Sequence, residues 1–172
     1  MMELDFDVVD LPAADHVAAG DDAPDFIRPL VTDEYWADVA LADLLAEGPV
    51  VLVFTPMDGA FPATDMYSEL RERGVHERAQ VVGVSISTPY EHKTTIKDRG
   101  IQEFTGLFSD PQAGVAEAYG VEHDPDGMAG VVEHRPATVV IGADGTVEYA
   151  WVAQQWPEFP AYDELEAALD EL

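Results

Sequence analysis

The side chains best suited to chemistry fall in three places. Thr64 and Asp65 follow a loop-forming stretch (Pro56, Gly59, Pro62), where an apolar run gives way to a helical pattern. Arg135 and Pro136 stand at the head of another apolar run, and Arg135 is one of only 8 basic residues against 35 acidic ones. His123 and His134 bracket a Gly-containing stretch with Asp124, Asp126 and Glu133. A hydroxyl, a carboxylate and a guanidinium gathered in one pocket can hold a small anion or assist a metal-dependent step, and imidazoles with carboxylates can serve as acid–base or metal groups. The histidines have no ligand spacing of known specificity, so neither a metal nor a cofactor is expected. The chain has no cysteine. Disulfides, thiolate metal centres and every thiol-based catalytic step are thereby excluded.

Each candidate also has a plain structural role. Thr64 or Asp65 can cap a helix or complement its dipole in the first turn. Arg135 can form an ion pair on an acidic surface, and scattered histidines are ordinarily solvated. Trp151, Trp156, Phe159 and Tyr162, interspersed with prolines, read as core and staple residues.

The elements that would position these groups follow from periodicity. Residues 50–54 (Val-Val-Leu-Val-Phe) are short and wholly apolar, as a buried strand is, and a helix follows with Met66, Tyr67 and Leu70 on one face. Residues 79–87 are β-branched and predict a second buried strand. Thr88-Pro89 opens a helix, Thr as N-cap and Pro at the first helical position, that Gly100 ends. Residues 104–108 predict a third strand, and Asp110-Pro111 a helix after it. Asp144-Gly145 between two β-branched runs predicts a hairpin over 135–151. An amphipathic helix over 162–172 closes the chain. Earlier, residues 3–12 alternate weakly as an edge strand does, and 33–47 have helical spacing with Trp36, Val39, Leu41, Leu44 and Leu45 inward and Gly48 as the stop. This order predicts one α/β domain over 1–172, with 1–17 as an N-terminal extension.

Several of these stretches resemble peroxiredoxins of the alkyl hydroperoxide reductase/thiol-specific antioxidant family. Gly20-Asp-Asp-Ala-Pro-Asp-Phe26 is similar to the family's opening Gly-x-x-Ala-Pro-Asp-Phe. The strand, loop and helix of 49–73 are similar to its active-site segment, and Ser109-Asp-Pro…Val-Ala-Glu-Ala-Tyr-Gly-Val121 is similar to a later helix. The resemblance runs over about 18–170 by order and motif. It implies a thioredoxin-like three-layer sandwich, a central mixed sheet with helices on both faces. It also implies a thiolate in the helix's first turn, a Thr or Ser beside it, and an Arg from a later strand. Anchoring on Gly59-Ala60-Phe61 puts Asp65 at the cysteine position and Pro62 at the Thr; anchoring on Pro56 puts Ala63 there, and anchoring on Glu69-Leu70 puts Met66 there. The family's Arg-x-x-Phe-x-x-Asp-x-x-Gly pattern, anchored on Asp144-Gly145, puts Pro136 at the arginine, with Arg135 one residue early and so on the opposite strand face. Pro136 also falls where thioredoxins keep a cis-proline. An aspartate carries charge but has no sulfenate step, so thiol peroxidase activity is excluded whichever frame holds.

Net charge is −27, spread along the whole sequence, which reads as the solubility strategy of a protein adapted to extreme salt. Without a Lys/Arg patch to neutralise phosphates, nucleic-acid binding is not expected. No basic leader or long apolar run is present, so a cytoplasmic protein without a membrane span is expected. The residues thus point to a peroxiredoxin-like domain that has lost its redox step and acts by binding, with a homodimer or a redox-protein partner expected. A non-thiol enzyme built on Asp65, Thr64, Arg135 and Pro136 is the alternative, and requires Asp65 and Arg135 to share one concave site.

Overall fold

The computed structural model describes residues 8–123 and 127–172. In chain order the elements are β1 (Val9–Asp10), β2 (Ile27–Val31), β3 (Trp36–Ala40), α1 (Leu41–Leu45), β4 (Val50–Phe54), α2 (Phe61–Glu72), a short 3₁₀ turn (Val75–Glu77), β5 (Gln80–Ser85), α3 (Pro89–Arg99), β6 (Gly106–Ser109), α4 (Gly114–Tyr119), β7 (Glu122–His123), β8 (Glu133–His134), β9 (Ala137–Ile141), β10 (Val147–Val152), β11 (Gln155–Trp156) and α5 (Tyr162–Asp170).

Seven strands form one mixed sheet in the order β10-β9-β4-β5-β6-β2-β3. The central β4, β5 and β6 run parallel, joined by α2 and α3 crossovers, and the outer strands pair antiparallel. Parallel strands covered on both faces must be apolar on both, and every residue of β4 is 0% exposed. Strand alternation divides the core in two. Val50, Leu52 and Phe54 pack with Leu41 and Leu44 of α1 and Val115 and Tyr119 of α4, whereas Val51 and Val53 pack with Met66, Tyr67 and Leu70 of α2, Ile96 of α3 and Leu165 of α5. The result is the helix–sheet–helix sandwich expected from the sequence. Among the described residues, no helix is long and apolar enough to cross a membrane.

Three local expectations are corrected. The helix predicted over 33–47 is a strand followed by one short helix. Residues 36–40 pair with β2 in register Val31↔Trp36 to Ile27↔Ala40, and only Leu41–Leu45 is helical. Edge pairing outweighs helical spacing here, and Trp36 stays 38% exposed instead of facing inward. The third strand sits two residues late, at Gly106–Ser109. The helix after Asp110-Pro111 starts only at Gly114, because Ala113 adopts a left-handed φ of 57° before it. Of the N-terminal edge strand predicted over 3–12, Val9–Asp10 is a strand paired with β11; residues 3–7 lie outside those described.

Candidate functional site

β4 delivers the chain to the carboxyl end of the parallel strands, where open α/β sheets place their ligands. Thr55 extends the ladder by donating its N–H to Val84 O (3.1 Å), and the chain then turns, with Gly59 at φ 84°. α2 begins at Phe61 behind Ala60, which offers no side-chain cap. Pro62 is accepted in the first turn because the amides there lack intrahelical partners in any case.

Of the three residues that could hold the cysteine position, only Ala63 lies in the first turn of α2 and is buried, at 1% exposed. Met66 lies one turn further along, 0% exposed in the core between α2 and the sheet. Asp65 is half-buried outside that first turn. Its carboxyl is raised above the usual range, first by burial and then by Glu69 and Glu72, with the Tyr162 hydroxyl acting in the opposite sense. Thr64 is half-buried and makes the first helical bond, N–H to Ala60 O at 3.1 Å.

Arg135 serves another part of the molecule. Its side chain is 4% exposed, and Nη1 donates to Pro12 O (3.0 Å) and Ala153 O (3.3 Å). Burial lowers its pKa, opposed by the charge of Glu122. Asp65 and Arg135 thus have different polar neighbours, Tyr162 of α5 for one and the N-terminal segment for the other. Pro136 is buried, and its carbonyl accepts from Ala153 N (2.9 Å). Among the described residues the cis X–Pro bond is Trp156–Pro157, so Arg135–Pro136 is trans.

His123 and Glu133 are register partners in the β7–β8 pair, as are Glu122 and His134; Asp124 and Asp126 lie outside the described residues. Among those described, no cluster of three or more His, Asp or Glu side chains could hold a metal. His134 is instead 0% exposed, with Nε2 at 2.9 Å from Asp110 Oδ2 and its ring against Phe54. Asp110 also accepts from Arg28 Nε (3.1 Å) and from the amides of Val115 (3.0 Å) and Ala116 (3.4 Å). Burial alone would raise the Asp110 pKa, but His134, Arg28 and the Ala116 amide together hold it below the usual carboxylate range.

Nothing in the sequence signalled the clamp on the loop itself. His92 Nδ1 lies 2.7 Å from Asp58 Oδ2, and His92 Nε2 meets the Phe108 carbonyl at 2.9 Å. The Asp58 amide donates to Ser87 Oγ (2.8 Å), and Ser109 Oγ donates to Ser87 O (2.7 Å). An aspartate–histidine pair can act as a general base when the distal nitrogen faces substrate. Here that nitrogen is spent on a backbone carbonyl and the ring is 0% exposed, so the pair fixes the loop. Asp58 and His92 are 34 residues apart, and only their shared place at the carboxyl end of the sheet could have paired them beforehand. Thr55 Oγ1, Tyr67 OH and Asp58 Oδ1 are buried close by; burial and then the Asp58 charge raise the Tyr67 pKa, with the Thr55 hydroxyl acting in the opposite sense.

The architecture and the loop–helix junction define the thioredoxin-like fold as peroxiredoxins use it. The sequence profile of the AhpC/TSA family matches residues 19–150, and the chain belongs to that family. It is 27% identical over 133 residues to the chloroplastic 2-Cys peroxiredoxin BAS1 of Hordeum vulgare, a match covering 67% of this chain and 63% of that protein. The chain thus spans less than two thirds of that relative's length. The peroxidoxin BcpB of Mycobacterium tuberculosis superposes with TM-score 0.70 at 27% identity, over 90% of this chain and 96% of that one. The reduced 2-Cys peroxiredoxin of Plasmodium vivax superposes with TM-score 0.72 at 23% identity, over 90% and 81%. Two of these relatives carry their cysteines in their names; this chain has none.

Proposed function

We propose that this chain is a family member without peroxide chemistry and that it acts by binding, with a second copy of itself or a redox protein as partner. The observation that carries the reading is the absence of cysteine from the chain, with Ala63, the residue that anchoring on Pro56 puts at the cysteine position, buried in the first turn of α2. Pro136 at the position implied for the arginine, with Arg135 engaged elsewhere, points the same way. The clamped loop supports a binding role, because Asp58 and Gly59 border a surface groove of about 340 Å³ shared with Glu91, Thr94, Asp98 and Arg99 of α3. The different polar neighbours of Asp65 and Arg135 favour this reading over a non-thiol enzyme built on the two. The even acidic charge adds a high-salt cytoplasm as the proposed working medium.

The test is hydrogen peroxide consumption by the purified protein in molar KCl with a thiol reductant, with and without a chelator. The expected result is no turnover above a protein-free blank. Turnover that survives removal of contaminating metal refutes the reading, and turnover abolished by chelator transfers the chemistry to a bound metal.

A further inference from the structure

The seven-stranded sheet ends in two edges, β10 and β3. An edge leaves a row of backbone N–H and C=O groups unpaired, and proteins ordinarily blunt it with a lysine, a proline or a bulge. β10 has a bulge between Val147 and Tyr149. β3 has neither lysine nor proline, and its pairing with β2 runs unbroken from Val31↔Trp36 to Ile27↔Ala40. Among the described residues β3 pairs with β2 alone.

The register identifies the open groups. Thr32 N donates to Tyr35 O (2.9 Å) and Leu41 N to Phe26 O (3.0 Å). Bonded and non-bonded pairs alternate along an antiparallel ladder, so between these two bonds Ala37 and Val39 turn their backbone groups toward β2. Trp36, Asp38 and Ala40 turn theirs outward. Asp43 Oδ2 takes the Ala40 amide (3.4 Å), which leaves the N–H and C=O of Trp36 and of Asp38 at the open edge.

Trp36 and Asp38 also share one face of the strand. There the Trp36 ring meets the Tyr90 ring edge-to-face at 5.1 Å, and both rings are exposed. The strand and its turn are acidic, with Asp33, Glu34 and Asp38, and no Lys or Arg lies between Arg28 and Arg71. Lys93 and Lys97 follow Tyr90 at helical spacing, so the basic groups stand on the helix and the acidic ones along the edge.

We propose that the β3 edge receives an extended segment of another protein as an added strand, apolar against Trp36 and Tyr90 and basic against Asp38 and the Asp33-Glu34 turn. In such strand addition, backbone hydrogen bonds supply affinity and alternate side chains supply selectivity. A second copy fits this edge less well, because it brings its own Asp33, Glu34 and Asp38 alongside these. The proposal rests on the binding role above and names the partner's chemistry. The two fail separately, since peroxide turnover is measured without peptide and peptide binding without peroxide.

The probe is acetyl-Thr-Lys-Thr-Ile-Thr-Lys-Thr-amide, whose Lys, Ile and Lys share one face in either strand direction. Isotope-labelled protein is titrated with it at several KCl concentrations, and amide hydrogen exchange is followed residue by residue by NMR. The expected result is slowed exchange at Trp36 and Asp38, with an affinity that falls as KCl rises. D38N should bind about two- to fivefold more weakly. D38P, which deletes the outward donor and keeps the Ala37 and Val39 bonds to β2, should not bind; if it does not fold, D38N carries the test. Wild-type protein without protection at Trp36 and Asp38 overturns the proposal. So does binding undiminished in D38N or in folded D38P, or equal binding of a peptide with glutamate in place of lysine. A dimer in sedimentation that protects the same two amides without peptide also overturns it, by assigning the edge to a second copy.

Discussion

Replacing Asp110 by asparagine tests the buried charge layer behind β4. Asp110 joins Arg28, His134 and two α4 amides at 2.9–3.4 Å with its side chain 1% exposed. The substituted side chain keeps the shape but carries one acceptor oxygen where the carboxylate has two, so its NH₂ group must face at least one donor. Arg28, with 34% of its side chain exposed, can turn to water; His134, at 0%, cannot. Breaking a buried pair costs about 3–5 kcal/mol, and the escape open to Arg28 places D110N near the lower end, about 3 kcal/mol. At about 2–4 °C per kcal/mol for a domain of this size, the melting temperature should fall by about 6–12 °C. The assay is thermal unfolding by circular dichroism at fixed KCl, repeated from pH 7 into acid. Because the folded Asp110 pKa is depressed, its stabilisation is fully present above the ordinary carboxylate pKa of about 3.9 and is lost as pH falls through the lower folded value. The gap between wild type and D110N should therefore close below about pH 4. A loss under about 1 kcal/mol at pH 7, or a gap that persists undiminished into strong acid, refutes the reasoning.

Asp65 behaves with the opposite sign. Its folded pKa is raised, so its charge opposes folding at neutral pH and the penalty is relieved as pH falls through the folded value; D65N should melt at or slightly above wild type at pH 7, with any gain gone in acid, and a clear loss of stability at pH 7 would contradict this. Gly83 lies under α2, and an added Cβ would stand 2.5 Å from Leu107 Cδ2 and closer still to the Tyr67 hydroxyl. G83A should cost about 1–3 kcal/mol by denaturant unfolding, Y67F should recover part of that in the double variant, and strict additivity would show that the two sites do not meet. With a net charge of −27, raising KCl from about 0.1 M to 1 M shortens the screening length from about 10 Å to about 3 Å; the melting temperature should climb, and a flat response would remove self-repulsion as a factor.

What the sequence disclosed was local. The β9–β10 hairpin is set by Asp144-Gly145, where Thr146 N donates to Asp144 Oδ1 at 3.0 Å. α3 is set by Thr88 and Pro89, with Thr88 and Glu91 capping reciprocally. β3 was hidden because Trp36 and Val39 satisfy helical spacing as well as a half-exposed edge strand, and pairing with β2 decided between them. The Asp58–His92 and Asp110–His134 contacts were hidden because each joins residues far apart in sequence. Spacing alone allows Asp65, Ala63 or Met66 at the cysteine position, depending on the anchor; their differing burial and place along α2 are tertiary properties that spacing does not carry.

The buried alanine at the head of α2 also bears on how the protein fares in the presence of oxidant. A thiolate there would climb from sulfenic toward sulfinic acid as peroxide rises, changing the charge and shape of its own surroundings. Ala63 has no such ladder, and Met66 beside it is sealed from solvent. The first turn of α2, residues 61–64, therefore carries no sulfur for peroxide to oxidise.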